Sequence, residues 1–149
     1  MSIVVISDTS CLIALDRINQ LDLLQKLFHQ IVTTQAVQEE FGKELPEWIQ
    51  IVEVQNQDKI QELEAVLDKG EASAIALALE TEKSQLIIDE KKGRKVAQKL
   101  KIDIIGTLKV IQMAKQKEII QSAQPVIEGL QKAGFRFSQT IVNILLEDE

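Results

Sequence analysis

Residues 70–89, GEASAIALALETEKSQLIID, contain the two kinds of segment from which the fold can be read. From Glu71 to Lys83 small and aliphatic residues fill most of the helical circumference, so the spacing predicts a helix packed deep in the protein rather than a surface one. Gly70, with Asp68 and Lys69, punctuates the chain before it. Leu86-Ile87-Ile88 then has no polar residue at either parity. A strand of that kind must be covered on both faces, as strands of a parallel sheet are. It ends abruptly on Asp89.

Working outward, the same alternation repeats. After Asp89 come a helix over 92–100, a strand over 103–105, and a helix from Gly106-Thr107 to about Lys117. Pro125 to Lys132 and Ser138 to Leu146 predict two closing helices. Before Gly70, apolar spacing at Ile60, Leu63, Val66 and Leu67 predicts a helix over 58–67. Trp48 to Val54 alternates as a strand should, after a break at Pro46. Ile31 to Thr33 reads as a strand, with Thr34 as cap of a helix bearing Ala36, Val37, Glu40 and Phe41. Leu21, Leu23, Leu24, Leu27 and Phe28 form one helical face. Ile3 to Ile6 is a β-branched strand ending at Ser7-Asp8, and Asp8-Thr9-Ser10 offers N-cap chemistry before Leu12, Ile13 and Leu15. Strands alternating with helices imply an α/β fold with a central parallel sheet covered on both sides. No repeat, low-complexity tract or linker interrupts the chain, which is expected to form a single domain over residues 1–149.

Composition narrows the class. A length of 149 residues suffices for one full core, and a hydrophobic fraction of 45% is ordinary for a globular protein. The single cysteine, Cys11, excludes an intrachain disulfide, and neither a signal peptide nor a membrane span is visible, so a cytoplasmic protein is expected. The net charge of −6 is unevenly spread. Between Lys91 and Lys117 lie nine of the seventeen Lys and Arg against one acid, Asp103, leaving that segment at +8 and the remainder at −14. One basic face is compatible with this, although charge alone slightly favours lysines that merely solvate two helices.

Four acids stand out by position. Asp8 and Asp89 each directly follow an apolar strand, and Gly106-Thr107 follows Ile105 at the same level. Ligands of open α/β sheets bind beyond the carboxyl ends of the strands, where strand order reverses. Glu40 borders the buried face of its helix, and Glu71 opens a helix that is otherwise almost wholly apolar. Each has a plain structural account as well. Asp8 suits an N-cap, Glu71 suits a helix N-terminus, Glu40 sits in a charge run with Glu39, and Asp89 suits a turn. If the four converge, two unit charges about 4 Å apart repel by roughly 4 kcal/mol at an effective dielectric near 20. Such a cluster must protonate or bind a cation, and an all-oxygen donor set favours Mg²⁺ or Mn²⁺ over zinc.

The ordered series resembles the PIN domain, a family of metal-dependent nucleases that includes VapC-like toxins of toxin–antitoxin pairs. The resemblance is carried by Ser7-Asp8-Thr9-Ser10, Leu12-Ile13-Ala14-Leu15, Ala36-Val37 with Glu39-Glu40, and Gly70-Glu71-Ala72 with Ala74-Ile75-Ala76-Leu77-Ala78. It continues through Ile88-Asp89-Glu90, Gly93-Arg94, Val96-Ala97, Ile105-Gly106-Thr107 and Ala133-Gly134-Phe135-Arg136, nearly end to end. It resembles in particular a bacterial and archaeal subfamily described only as predicted nucleic-acid-binding proteins. The resemblance implies a three-layer α/β/α sandwich and an endoribonuclease dependent on Mg²⁺ or Mn²⁺. It assigns Asp8, Glu40, Glu71 and Asp89 as metal ligands and catalytic acids, with Glu39 as a substitute for Glu40. It also implies RNA as substrate, a small antitoxin as partner and a homodimer.

Thr9, Ser10, Arg94 and Thr107 are the expected substrate contacts. Many toxin members carry Asp deeper in the helix that Glu71 opens here, Thr or Asn before the fourth acid, and a further Asp after it. Ile87-Ile88 and Glu90 stand at those flanking positions in this chain. These departures motivate a second reading, a catalytically inactive PIN fold that binds nucleic acid or protein. A third reading makes Asp8 a phosphotransfer nucleophile. Cys11 and His29 have no evident catalytic partners, and with four Phe, one Trp and no Tyr the chain is expected to offer little base stacking.

Overall fold

The computed structural model describes residues 3–147. Five strands, β1 (Val4–Ser7), β2 (Ile31–Thr33), β3 (Ile49–Ile51), β4 (Ser84–Ile87) and β5 (Ile104–Ile105), form one sheet in the order β3-β2-β1-β4-β5. Every pairing is parallel. The helices among the described residues are α1 (Thr9–Arg17), α2 (Asp22–Leu27), α3 (Gln35–Phe41), α4 (Gln57–Glu64), α5 (Lys69–Glu80), α6 (Lys91–Lys99), α7 (Thr107–Gln116), α8 (Gln124–Lys132) and α9 (Gln139–Leu146).

Strand residues divide by parity between two cores, which is why the strands need no polar face. Val5, Ile31, Ile87 and Ile105 pack with Leu12, Leu15, Leu24 and Val110 on one side. Ile6, Val32, Leu86 and Ile88 pack with Leu63, Ile75, Leu77 and Ala97 on the other. The result is the expected three-layer α/β/α arrangement. α8 and α9 add a further cluster against α1 and α7 through Ala14, Ile111, Ile127, Leu130 and Val142. Among the described residues no helix is long and apolar enough to cross a membrane.

Two local expectations need correction. Gly70 does not separate two helices. Asp68 is the N-cap, accepting from the Glu71 N–H at 2.8 Å, and Lys69 and Gly70 lie inside the first turn of α5. The strand expected over 48–54 is only the three residues of β3, at the sheet edge, and just one further ladder-like bond follows it, from Val52 N to Thr33 O at 2.9 Å. Val54 leaves the sheet to pack against Leu63 and Leu67, so its alternation with Val52 reflects a second contact rather than a longer strand.

Elsewhere the local chemistry behaves as read. Thr34 caps α3 by accepting from the Val37 N–H, and Asp8 caps α1 by accepting from the Cys11 N–H. Because β2 and β3 lie on one side of β1 while β4 and β5 lie on the other, the order reverses between β1 and β4. That junction is where a cleft opens past the strand ends.

Candidate active site

Asp8 and Asp89 leave the two strands that flank this reversal. Asp8 is 1% exposed. Its backbone N–H donates to Ile87 O at 3.1 Å, continuing the β1–β4 ladder one step beyond the end of β1. Its Oδ1 accepts from the Cys11 N–H at 3.1 Å and its Oδ2 from the Asp89 N–H at 3.4 Å. Thr33 donates to Ser7 O at 2.7 Å and pins the end of β1. Burial pushes the Asp8 carboxyl up to about 8, and the neighbouring Asp89 charge adds to this. The two backbone N–H donors pull the other way, and the Glu71 charge contributes a further increase.

Asp89 is exposed, yet both of its oxygens are held. Oδ1 accepts from the Thr107 N–H at 2.8 Å and Oδ2 from the Thr107 hydroxyl at 2.5 Å. Gly106 supplies no side-chain cap for α7, so a carboxylate from the next strand takes that place at the helix N-terminus. A Cβ at Gly106 would come within 3.0 Å of Asp89 Oδ1 and of Arg94 Nη1. Arg94 itself donates to Ile88 O at 2.9 Å.

Glu71 is 7% exposed although it carries a charge. Burial, then the charges of Asp68 and Glu90, raise its carboxyl to about 7. Gly93 makes room for it, since a Cβ there would stand 2.8 Å from Glu71 Oε2. Carboxylate oxygens of Asp68, Glu71 and Glu90 all lie within 4.8 Å of one another. Glu40 approaches from the end of α3. Its Oε1 accepts from the Thr9 hydroxyl at 3.0 Å and occupies space that a Cβ on Gly70 would enter. The Glu40 carboxyl is also raised, chiefly by burial and against the bond from Thr9, with the Asp68 charge adding to the rise.

The four acids singled out in the sequence therefore lie near one another in two groups, but among the described residues the carboxylates whose oxygens come within 4.8 Å of one another are Asp68, Glu71 and Glu90, with Glu71 the one expected member. Asp8 and Asp89 touch through a backbone bond, and Glu71 lies close enough for its charge to act on Asp8. Glu40 is joined to Thr9 and interacts with Asp68. Glu39 lines a separate shallow concavity with Gln38 and Lys43. Ser10 and Arg94 line a groove that also contains Asp89 and Glu90, whereas Thr107 is 1% exposed and acts on Asp89. The tightest trio contains two residues that sequence reasoning passed over, Asp68 and Glu90. Both left a signal. Asp68-Lys69-Gly70-Glu71 has the spacing of an N-cap with an acid three residues on, which puts both carboxylates on one helical turn. Glu90 directly follows the strand-end Asp89.

All donors here are carboxylate oxygens, and no ion pair among the described residues involves any of these six acids. Raised proton affinity at Asp8, Glu40 and Glu71 comes first from burial and then from neighbouring carboxylates, both of which a bound cation would offset. The residues present thus suit a hard divalent ion. A family model described as a PIN domain matches residues 4–148. No curated protein matches the chain.

Proposed function

The chain belongs to the PIN-domain family, and on that premise we propose that it is an endoribonuclease dependent on Mg²⁺ or Mn²⁺. The observation that supports this best is the meeting of carboxylates from distant segments at the sheet reversal, with proton affinities raised by burial and mutual repulsion. In this reading Glu71 holds the ion together with Asp8 and Asp89 from the strand ends, while the oxygens that already lie within 4.8 Å of one another are those of Asp68, Glu71 and Glu90. When bound, the ion would supply Lewis acidity toward the phosphodiester and a more acidic water.

The protein's own contribution is positional. Two backbone N–H donors hold Asp8 rigidly, and Thr107 holds Asp89 by its backbone and hydroxyl. These bonds fix the orientation of both carboxylates, as a preorganised site requires. Glu40 and Thr9 form a hydrogen-bonded pair at the outer edge, placed to orient water, and Ser10 and Arg94 border the approach for RNA.

The test is incubation of purified protein with structured and unstructured RNAs in Mn²⁺, Mg²⁺ or EDTA, with Asp8→Asn as control. Cleavage that needs the ion and Asp8 is expected; equal cleavage by both proteins removes the proposal. A second reading, a silent PIN fold acting as a binding module, is favoured by one observation: both Asp89 oxygens already cap α7. Calorimetry decides between the two, since this reading requires that neither Mn²⁺ nor Mg²⁺ binds. Under the nuclease reading a small co-transcribed protein would serve as antitoxin and the chain would pair as a homodimer, which co-purification and light scattering would test.

A further inference from the structure

We propose that the groove beside Asp89, walled by Arg94, Lys109, Arg136, Phe135 and Phe137, seats a single-stranded RNA segment, with phosphates on the cations and a base against the phenylalanines. The inference rests on the nuclease reading and gives it a path for substrate. The groove encloses about 650 Å³ and includes Asp89 on its wall, so whatever occupies it is continuous with the acidic centre. Lys109 and Arg136 are exposed and take part in no ion pair among the described residues. In a chain of net charge −6, a groove lined by three cations against two acids, Asp89 and Glu90, is a local reversal of sign. A phosphate backbone is the ligand that such a reversal suits.

The aromatic residues point to the same occupant. Two of the chain's four phenylalanines line this groove, both half-buried, although the overall count suggested little stacking. The Arg17 guanidinium lies over the Phe135 ring at 5.4 Å from its centroid and donates to Ala133 O at 3.4 Å. This braces the segment between α8 and α9 that forms the wall. A braced aromatic edge beside cations that form no salt bridge among the described residues is the combination by which proteins hold unstacked bases and track a backbone. Bases within a duplex present no free face to such a wall, so the strand must be single.

The test uses the full chain carrying Asp8→Asn, to prevent cutting, and a labelled single-stranded RNA of mixed sequence, with anisotropy as readout. Lys109→Ala and Arg136→Ala should each weaken binding and each lower the slope of log affinity against log salt by about one. Phe137→Leu keeps apolar packing but lacks a ring face, and should weaken binding on the order of tenfold with little change in salt slope. Thermal melts confirm that each variant is folded. Unchanged affinity in all three variants, no RNA binding by the parent, or competition by duplex as strong as by single strand overturns the proposal. Unchanged RNA affinity combined with lost binding of a co-expressed protein would assign the groove to protein instead. Cleavage is scored separately with Asp8 intact. Groove-dependent binding without any cleavage removes the nuclease reading alone, whereas cleavage indifferent to the groove variants removes this inference alone.

Discussion

Replacing Asp8 by Asn should make the metal-free protein more stable at about pH 8 while abolishing cleavage. The reason is the cost of an ionised carboxylate at a site that is 1% exposed. In the folded protein the group holds its proton up to about 8, against an ordinary value of 3.8. Between those limits the folded state binds a proton that the unfolded chain has already released, so stability falls as pH rises and levels off above about 8.

Each pH unit in that window is worth about 1.4 kcal/mol. Between about pH 5.5 and pH 8 the loss from Asp8 alone is therefore roughly 3 kcal/mol, an upper bound because water entry and relaxation reduce it. Asparagine has no such dependence. It keeps one acceptor for the Cys11 N–H but presents an amide where Oδ2 accepts from Asp89, a fixed cost of about 1–2 kcal/mol at every pH.

The variant should thus be near neutral or slightly stabilised at about pH 5.5 and gain further as pH rises. For a chain of this size about 2–4 °C in Tm accompanies each kcal/mol, so the difference in Tm between variant and parent should move by ~6–12 °C across the window. Thermal melts in EDTA at several pH values measure it. A difference in Tm that stays constant from about pH 5.5 to pH 8 refutes the buried-charge argument.

Three further outcomes follow from the same geometry. Mn²⁺ should raise Tm more above pH 7 than at about pH 5.5, because Asp8 near 8 and Glu71 near 7 must release protons to bind it; a pH-independent shift in scanning calorimetry would place the ion elsewhere. Gly70→Ala should leave stability within about 1 kcal/mol, alanine being the better helix former, yet reduce cleavage strongly, since the new Cβ meets Glu40 Oε1 and drives that carboxylate out. Activity equal to the parent's would show that Glu40 is dispensable. Thr107→Val should cost about 1–3 kcal/mol in urea denaturation and weaken metal affinity, because Asp89 loses its hydroxyl donor but keeps the backbone one; unchanged metal affinity would separate Asp89 from the ion.

Local chemistry was legible wherever a single segment carried the information. Ile3 to Ile6, Ile31 to Thr33 and Leu86 to Ile88 announce buried strands by their lack of polar alternation, although Ile3 itself lies outside β1 and is exposed. Asp8 and Thr34 announce helix starts because capping is a matter of three residues. Those same features made the acids after β1 and β4 conspicuous, since strand ends in a parallel sheet point to one edge. The structural accounts also hold: Asp8 does cap α1, and Asp89 does cap a helix, though α7 rather than a turn of its own. A cap and a ligand are compatible because a carboxylate has more lone pairs than a cap consumes.

What segment-by-segment reading leaves open is which side chains share space. Gly70 looked like a break because glycine usually is one, but its missing Cβ makes room for Glu40, thirty residues away in sequence. Gly93 does the same for Glu71. Asp68 and Glu90 join the cluster only because the N-terminal ends of α5 and α6, which they cap, come together in space. Phe135 and Phe137 become a wall only when the segment after α8 folds back beside α7. Sequence determined the elements, their order and the acids at strand ends, because propensity, capping and hydrophobic period act over a few neighbouring residues. Tertiary structure alone decided which carboxylates repel one another and which cations form no salt bridge among the described residues, because Coulomb energy and excluded volume depend on distance in space and not on position in the chain.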